Sequence, residues 1–267
     1  MSMTLNRQHA IGLVFIAALF FLSTPVAQAQ VSLTNTYTQN FNTLLNTGNN
    51  NPWTDNSTIF GWYSTRTTYQ ASDGTGNTGD LYSFGTTGSN ERALGSINGG
   101  STGNISYAVQ LRNLSGGVIT SLQISFTGEQ WRNGGNVSGP DTVAFDYLIT
   151  SSASNQIGSA GYTAVPALNF TNPISGNPAG PLDGNLPANQ AFLSSLININ
   201  LAPNDFIWLR WTDTPKSGND HGLGIDNLTV TIPEPTSIAM VITAAAVIGL
   251  SYWRKKKVVQ DIIIDTQ

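Results

Sequence analysis

Alternation of apolar and polar residues with a period of two most restricts how this chain can fold. Four stretches show the pattern, at positions 105–111, 118–126, 143–149 and 228–232. A period of two sends successive side chains to opposite faces of a strand, so each stretch predicts a strand with one buried and one wetted face. Clusters of Gly, Asn, Asp and Pro lie between the stretches and predict turns.

Helical periodicity is weak throughout the chain. The best short candidate for a helix is 190–196, and no longer window repeats every 3.6 residues. Positions 30–232 contain no linker or internal repeat that would divide them. We therefore predict one all-β domain over 30–232, an antiparallel β-sandwich of jelly-roll type.

Composition excludes several classes of function. The chain has no Cys, so it cannot form disulfides or a thiolate metal site. The net charge of −4 and the pI of about 4.9 argue against nucleic acid as a partner, because proteins that bind nucleic acid usually present a broad basic surface.

The N-terminal segment has the organisation of a secretory signal peptide. Arg7 precedes an uncharged run over 10–22, Pro25 breaks that run, and Ala27 and Ala29 form a small-x-small cleavage pattern. We predict a signal peptide at 1–29, with the Sec machinery and signal peptidase as partners. The alternative is an uncleaved N-terminal anchor.

A second apolar run, at 237–253, predicts a transmembrane helix near the C-terminus. It directly follows the triplet Pro233, Glu234 and Pro235, and a basic cluster comes after it: Arg254, Lys255, Lys256 and Lys257. The positive-inside rule places the short tail 258–267 in the cytoplasm and the preceding domain outside.

The order of triplet, apolar helix and basic cluster over 233–257 resembles the PEP-CTERM sorting signal of Gram-negative bacteria. This resemblance implies an exosortase-like membrane enzyme as partner and processing near the Pro-Glu-Pro triplet. It also implies transient anchoring in the inner membrane, followed by release to the cell surface or the exopolysaccharide matrix. The tail 258–267 extends beyond the family's usual end.

The segments 127–135, 208–211 and 219–228 resemble a secreted bacterial β-sandwich module, and the last is similar to the terminal strand of MAM-like and laminin-G-like jelly rolls. Such modules serve adhesion, glycan binding or packing. We expect an exported surface or matrix protein with a structural or adhesive sandwich. The alternatives are a lectin-like carbohydrate-binding module and a secreted glycan hydrolase.

Catalytic signals are sparse, so we expect a protein that is not an enzyme. His221 is the only histidine of the predicted domain, and no Gly-x-Ser-x-Gly motif occurs. A structural or surface role for His221 is favoured. The hydrolase alternative would use Glu129 with Asp183, Asp213 or Asp226 as its second carboxylate. The opposing interpretation pairs Glu129 with Arg132 or with another Arg across the sheet.

Calcium is the cofactor that this composition favours, because it binds hard oxygen ligands and needs neither His nor Cys. Its candidate ligands are Asp213, Asp220 and Asp226. Asp226 shares the period-two register of Leu228 and Val230, which predicts that it faces the core. A second Asp-rich loop, at 73–80, is interpreted as a turn rather than a cation site.

Sugars stack on exposed aromatic rings, and five tryptophans lie within the predicted domain. Trp131 and Trp208 are the candidates for glycan binding. Trp208 and Trp211 are three residues apart on one strand, so they point to opposite faces. We therefore expect at most one of these two to lie in the core.

Overall fold

The computed structural model describes residues 30–135, 140–216, 218 and 220–234. Apart from two short 3-10 turns, Pro166–Leu168 and Pro187–Asn189, its regular structure is all strand. In chain order the strands are β1 (Val31–Leu33), β2 (Thr36–Gln39), β3 (Asn51–Pro52), β4 (Trp62–Ser64), β5 (Thr68–Ser72), β6 (Asp80–Phe84), β7 (Ala93–Ile97), β8 (Ile105–Asn113), β9 (Ile119–Asn133), β10 (Thr142–Thr150), β11 (Thr163–Ala164), β12 (Phe170–Thr171), β13 (Gly180–Pro181), β14 (Gln190–Leu201), β15 (Phe206–Asp213) and β16 (Gly222–Thr231).

The strands form two sheets. The smaller sheet has seven strands in the order β1-β8-β15-β10-β11, with β4 also paired to β8 and β12 to β10. The larger sheet has nine strands in the order β13-β9-β16-β7-β6-β5-β3, with β14 also paired to β9 and β2 to β16. The predicted all-β sandwich is confirmed. Its pairing is antiparallel except for β1 with β8 and β5 with β6, which are parallel.

The four predicted strands all overlap strands of the structure, but the wetted face predicted for 105–111 is wrong, because β8 is buried on both faces there. Stretches 105–111 and 143–149 fall inside β8 and β10, and 228–232 overlaps the end of β16. The stretch 118–126 is part of a longer strand, because β9 continues to Asn133. This extension carries Glu129 and Trp131 into the part of β9 that lies between β16 and the edge strands β13 and β14.

The predicted short helix at 190–196 is wrong. These residues belong to β14, which pairs with β9 from Gln190↔Glu129 to Asn198↔Ser121. Phe192 and Leu196 are 73% and 54% exposed although they are apolar. The inward-facing residues of β14 include Leu193 and Ile197. Because Phe192 and Leu196 are apolar on the opposite face, the period-two pattern is lost and the apolar spacing resembles that of a helix.

The core between the sheets is centred on Trp211. Its indole stacks on Trp62 at a centroid distance of 5.7 Å and meets Phe145 edge-on at 5.0 Å. Phe126 of the larger sheet approaches the same ring at 5.5 Å. Because these rings come from both sheets, Trp211 ties the two layers together.

Trp208 lies on the opposite face of the smaller sheet and is also fully buried. It packs against Tyr63 and Ile157, in a cluster separate from the main core. Arg210 lies over the ring of Tyr162 at 3.5 Å and bonds to Asp146, which fixes the segment covering this face. The expectation that at most one of Trp208 and Trp211 lies in a core is therefore wrong, because each sheet face has its own apolar cluster.

The predicted signal peptide, the transmembrane helix at 237–253 and the basic cluster lie outside the described residues. Pro233 and Glu234 follow β16 without regular structure, and Pro235 is not described. Within the described part of the chain, no helix has the length and apolar character needed to cross a membrane.

Replacing Trp211 should destabilise the fold strongly. Trp211→Ala removes a fully buried indole from between the sheets, and we expect a loss of about 3–5 kcal/mol in the free energy of unfolding. Urea unfolding followed by far-ultraviolet circular dichroism measures this. Phe192→Ala is the matched control, because its exposed ring should change stability by less than about 0.5 kcal/mol. Equal losses in both variants would contradict this view of the core.

Candidate functional site

A β-bulge in β16 sets the geometry of the candidate site. Between Asp226 and Thr229, β16 has one residue more than the facing part of β9. Asn227 occupies the bulge with a φ of 52°, a left-handed conformation that Asn tolerates better than most residues. The extra residue reverses the register, so Leu228 enters the core while Asp226 faces the outer side of the larger sheet. The prediction that Asp226 faces the core with Leu228 and Val230 is wrong for this reason.

Three carboxylates meet on this outer side: Glu91, Glu129 and Asp226. Each offers an oxygen within 4.8 Å of the others. Glu129 is 1% exposed and Asp226 is 3% exposed, whereas Glu91 is partly exposed. The sequence prediction that Asp226 is a buried side chain is confirmed, but the other predicted calcium ligands, Asp213 and Asp220, are not in this group.

Neutral donors hold these carboxylates in place. The indole Nε1 of Trp131 donates to Glu129 Oε2 at 2.9 Å, and Gln190 Nε2 donates to Glu129 Oε1 at 3.1 Å. Asn227 Nδ2 donates to Asp226 Oδ2 at 2.7 Å, and Asn185 Nδ2 donates to Glu91 Oε2 at 2.9 Å. Asp226 Oδ1 has no hydrogen-bond partner.

Burial dominates the electrostatics of this cluster. It raises the pKa of Glu129 to about 8 and the pKa of Asp226 to about 7, and repulsion from the neighbouring carboxylates adds to both shifts. The predicted pairing of Glu129 with Arg132 is wrong, because the Arg132 guanidinium donates to the carbonyl of Gly74. Of the three suggested carboxylate partners for Glu129, the structure brings Asp226 to it.

Asp213 and Asp220 belong to a different acidic group. Asp213 accepts a hydrogen bond from Ser96 Oγ at 2.7 Å, which links the ends of the two sheets. Burial raises the pKa of Asp213, and the charges of Asp141 and Asp220 raise it further. The predicted calcium ligand set is therefore divided, with Asp213 and Asp220 in this group and Asp226 in the other.

His221 is a structural residue, as predicted, but it is buried rather than at the surface. Its Nδ1 accepts hydrogen bonds from the Gly134 backbone N–H and from Gln130 Nε2, both at 3.0 Å. Burial lowers the pKa of His221, which keeps the ring neutral. The loop at 73–80 is likewise a turn, in which the two Asp side chains bond to separate partners: Asp73 to Thr75 and Thr87, and Asp80 to Arg66 and Gln70.

The predicted glycan-binding tryptophans cannot act as platforms. Trp131 is 1% exposed and Trp208 is 0% exposed, so neither offers a ring face to a sugar. Trp131 instead orients Glu129, and Trp208 packs below the segment that covers the smaller sheet. The physical reason is that a large aromatic side chain stabilises the fold more when its apolar surface is buried than when it is exposed to water.

The outer face of the larger sheet continues from the carboxylate cluster as an uncharged surface. Strands β14, β9, β16 and β2 lie side by side there and present hydroxyl and amide side chains in register. We call this surface the hydroxyl face; its members are Thr36, Thr38, Gln123, Ser125, Thr127, Phe192, Ser194, Leu196, Thr229 and Thr231. Side-chain bonds run across it, for example from Gln123 Nε2 to Ser194 Oγ at 2.8 Å.

A pocket of about 340 Å³ opens on this face beside the bulge. The residues that line it are uncharged, and they come from the end of β2 and from β16: Thr38, Gln39, Asn40, Asn227, Leu228 and Thr229. Phe192 stands across the sheet from this pocket, next to Thr127. The arrangement combines an exposed ring with a row of hydrogen-bonding groups.

Sequence reasoning missed Phe192 and Glu91. The alternation of β14 contained the signal for Phe192, since an apolar residue on the wetted face of a strand is unusual. Glu91 lies in a loop before β7, and no spacing connects it with Glu129 or Asp226. Only the pairing of β16 with both β7 and β9 brings the three together.

Comparison with known proteins does not assign a family. No protein-family model matches the chain, and no curated protein matches it. Among solved structures, the tandem CBM22-1-CBM22-2 domain of Xyn10C from Paenibacillus barcinonensis is similar with a TM-score of 0.38 and 12% identity. The alignment covers 68% of this chain, and this chain spans about half of that one, 48%.

Two further structures show the same degree of similarity. The CBM22-1 xylan-binding domain of the same protein has a TM-score of 0.33 and 9% identity, over 76% of this chain and 97% of that one. The K2 cleaved adhesin domain of Lys-gingipain has a TM-score of 0.37 and 10% identity, over 73% and 99%. None of these similarities identifies a ligand for this chain.

The group around Asp220 should make stability depend on pH. Burial raises the pKa of Asp220 to about 6, above its ordinary value of 3.8, so the folded chain holds a proton that the unfolded chain has released. The stabilisation of the folded chain by this proton on Asp220 is complete below about pH 4 and is lost as the pH rises through about 6. In metal-free buffer, we expect the melting temperature to fall between these values.

Asp220→Asn should make this dependence less steep, because the amide does not titrate, while Asp213, Glu129 and Asp226 keep their own contributions to the slope. The exposed Asp183→Asn is the control and should keep the slope of the parent protein. Differential scanning calorimetry across the pH range measures all three proteins. A melting temperature that rises between pH 4 and 6 would contradict the assignment.

Proposed function

We propose that the chain is an exported binding module whose hydroxyl face takes up neutral polysaccharide. The observation that supports this most directly is an uncharged outer sheet face that carries a 73% exposed phenyl ring, Phe192, beside hydroxyl and amide groups. Neutral sugars present hydroxyl groups at their edges and C–H groups on their faces. A row of hydrogen-bonding side chains next to a flat ring complements both.

The absence of charge on the hydroxyl face selects the class of ligand. Charged polysaccharides would lose hydration on such a surface without gaining an ion pair. The chain also carries a net charge of −4, which repels polyanions. The proposal is therefore limited to neutral glycans.

Export and sorting complete the proposal. The predicted signal peptide and PEP-CTERM signal would deliver the sandwich to the cell surface or the exopolysaccharide matrix, where such polymers occur. The module would serve there as a structural or adhesive element. A jelly-roll-type sandwich, with loops at its ends and a broad sheet face, suits that role.

The carboxylate pair Glu129 and Asp226 supports a hydrolase less well. Both side chains are buried, at 1% and 3% exposure, whereas a glycosidic oxygen and a water must reach the two carboxylates of a hydrolase. Glu129 also accepts hydrogen bonds on both of its oxygens. We therefore propose a module that binds without cleaving, and Glu129→Gln should not change any reducing-sugar release.

Phe192→Ala should weaken glycan binding by about tenfold, because it removes the stacking surface while leaving the hydroxyl groups in place. Affinity electrophoresis in gels containing xylan, galactan or mixed-linkage glucan, with alginate as the charged comparison, measures this. Phe60→Ala is the matched control, since Phe60 is 45% exposed and adjoins β4 of the other sheet. Retardation by alginate alone, or equal losses in both variants, would refute the proposal.

The sorting signal makes a separate prediction. Mass spectrometry of the extracellular protein should find a C-terminus near Pro233, because processing occurs at the Pro-Glu-Pro triplet in proteins that carry the resembled signal. Replacement of Glu234 by Ala should increase the membrane-retained fraction. An extracellular product that still contains Lys255 would be incompatible with processing.

A further inference from the structure

The carboxylates Glu91, Glu129 and Asp226 pose a physical problem as they stand. An ionised carboxylate that is buried without a compensating positive charge is strongly unfavourable. Two of the three are at most 3% exposed, and all three lie within 4.8 Å of one another. Something positive must balance them when they ionise.

Among the described residues, no cationic side chain forms an ion pair with these carboxylates, although the charge of Arg92 acts on Glu91 at longer range. Over residues 30–135, 140–216, 218 and 220–234, ion pairs form between Arg66 and Asp80 and between Arg210 and Asp146. Arg92 follows Glu91 in the chain, but its guanidinium bonds to Ser83. The donors that reach the cluster are the indole and amides already named, and all of them are neutral.

An unpartnered atom points independently to a ligand. Asp226 Oδ1 is buried, and no N–H or O–H group of the described residues donates to it, whereas its sister oxygen accepts from Asn227. Within the cluster, the Asp226 carboxyl gains a further hydrogen bond only by sharing a proton with Glu91. A buried acceptor without a donor is rare in folded proteins and needs a partner. Asp226 is one of the three carboxylates that offer oxygens within 4.8 Å of one another, so an ion held among them would supply the Asp226 carboxylate with a partner once that proton has left.

We propose that Glu91, Glu129 and Asp226 form a calcium site on the outer side of the larger sheet. Calcium takes roughly six to eight oxygen ligands, and three carboxylates binding through one or two oxygens each supply a large share of them. Backbone carbonyls or water would have to complete the shell. A donor set without nitrogen or sulfur selects a hard cation rather than zinc.

The surrounding hydrogen bonds fit this role. Trp131 and Gln190 orient Glu129, Asn227 orients Asp226, and Asn185 orients Glu91, as outer partners of metal ligands do. Because Asn227 is also the bulge residue, an ion here would fix the bulge to β9 and to the start of β7. The site stands independently of the proposed glycan binding.

Calorimetric titration of the purified exported protein with calcium chloride tests the proposal. We expect one site with a dissociation constant at or below about 1 mM, as in extracellular modules, and a higher melting temperature with calcium than with chelator. Glu91→Gln changes a partly exposed side chain and should fold normally. It should weaken calcium binding at least roughly tenfold by removing a charged ligand.

Asp226→Asn should have the same effect, and Asp220→Asn is the matched control from the other acidic group. Calcium affinity that survives Glu91→Gln and Asp226→Asn but is lost in Asp220→Asn would place the ion elsewhere and overturn the proposal. Absence of calcium binding to the parent protein at about 1 mM would also overturn it, since protons shared among the carboxylates would then replace the cation.

A luminescent probe locates the ion directly. The Trp131 indole bonds to Glu129, so it should transfer excitation to terbium bound at this site. Excess calcium should displace the terbium and quench the emission. Trp131→Phe should weaken ion binding, because it removes the indole that orients Glu129. At saturating terbium it should still remove most of the sensitised emission, and undiminished emission in Trp131→Phe would contradict the location.

Discussion

A single extra residue in β16 determines what the outer face of the larger sheet can do. With regular alternation, Asp226 would share a side with Leu228 and Val230 and would place a carboxylate in the core. The left-handed conformation of Asn227 reverses the register at that point. The apolar stripe therefore stays between the sheets, and Asp226 joins Glu129 and Glu91 on the other side. The pocket beside Thr38 and Thr229 is formed by the same bulge.

The rest of the sandwich supports this local geometry. Trp211 and its neighbouring rings join the two sheets, so the strands that carry the site have a rigid base. The length of β9 matters as well, because one continuous strand carries both the hydroxyl face and Glu129. A binding surface built on paired strands keeps its side chains in fixed register, which suits recognition of a regular polymer.

Strands with one clean apolar stripe could be predicted from the sequence, and those at 105–111 and 143–149 were. The sequence of strand β14 resembles a short helix because Phe192 and Leu196 are apolar on its exposed side. Trp131 and Trp208 are buried because segments distant in the sequence fold over them. The hydrophobic periodicity of a strand cannot show that such a segment covers it. Asp226 was identified as a buried carboxylate, but its orientation required the bulge. Glu91 became visible only when the strand order was known.

The central claim is that the outer face of the larger sheet is the binding surface of the molecule. Nuclear magnetic resonance titration with a soluble neutral polysaccharide tests it most directly, because each backbone amide reports on its own surroundings. We expect shifts concentrated on β14, β9, β16 and β2, with Thr127, Ser194 and Thr229 among the most affected. Shifts confined to the smaller sheet, or to the loops around Asp73 and Tyr162, would contradict it.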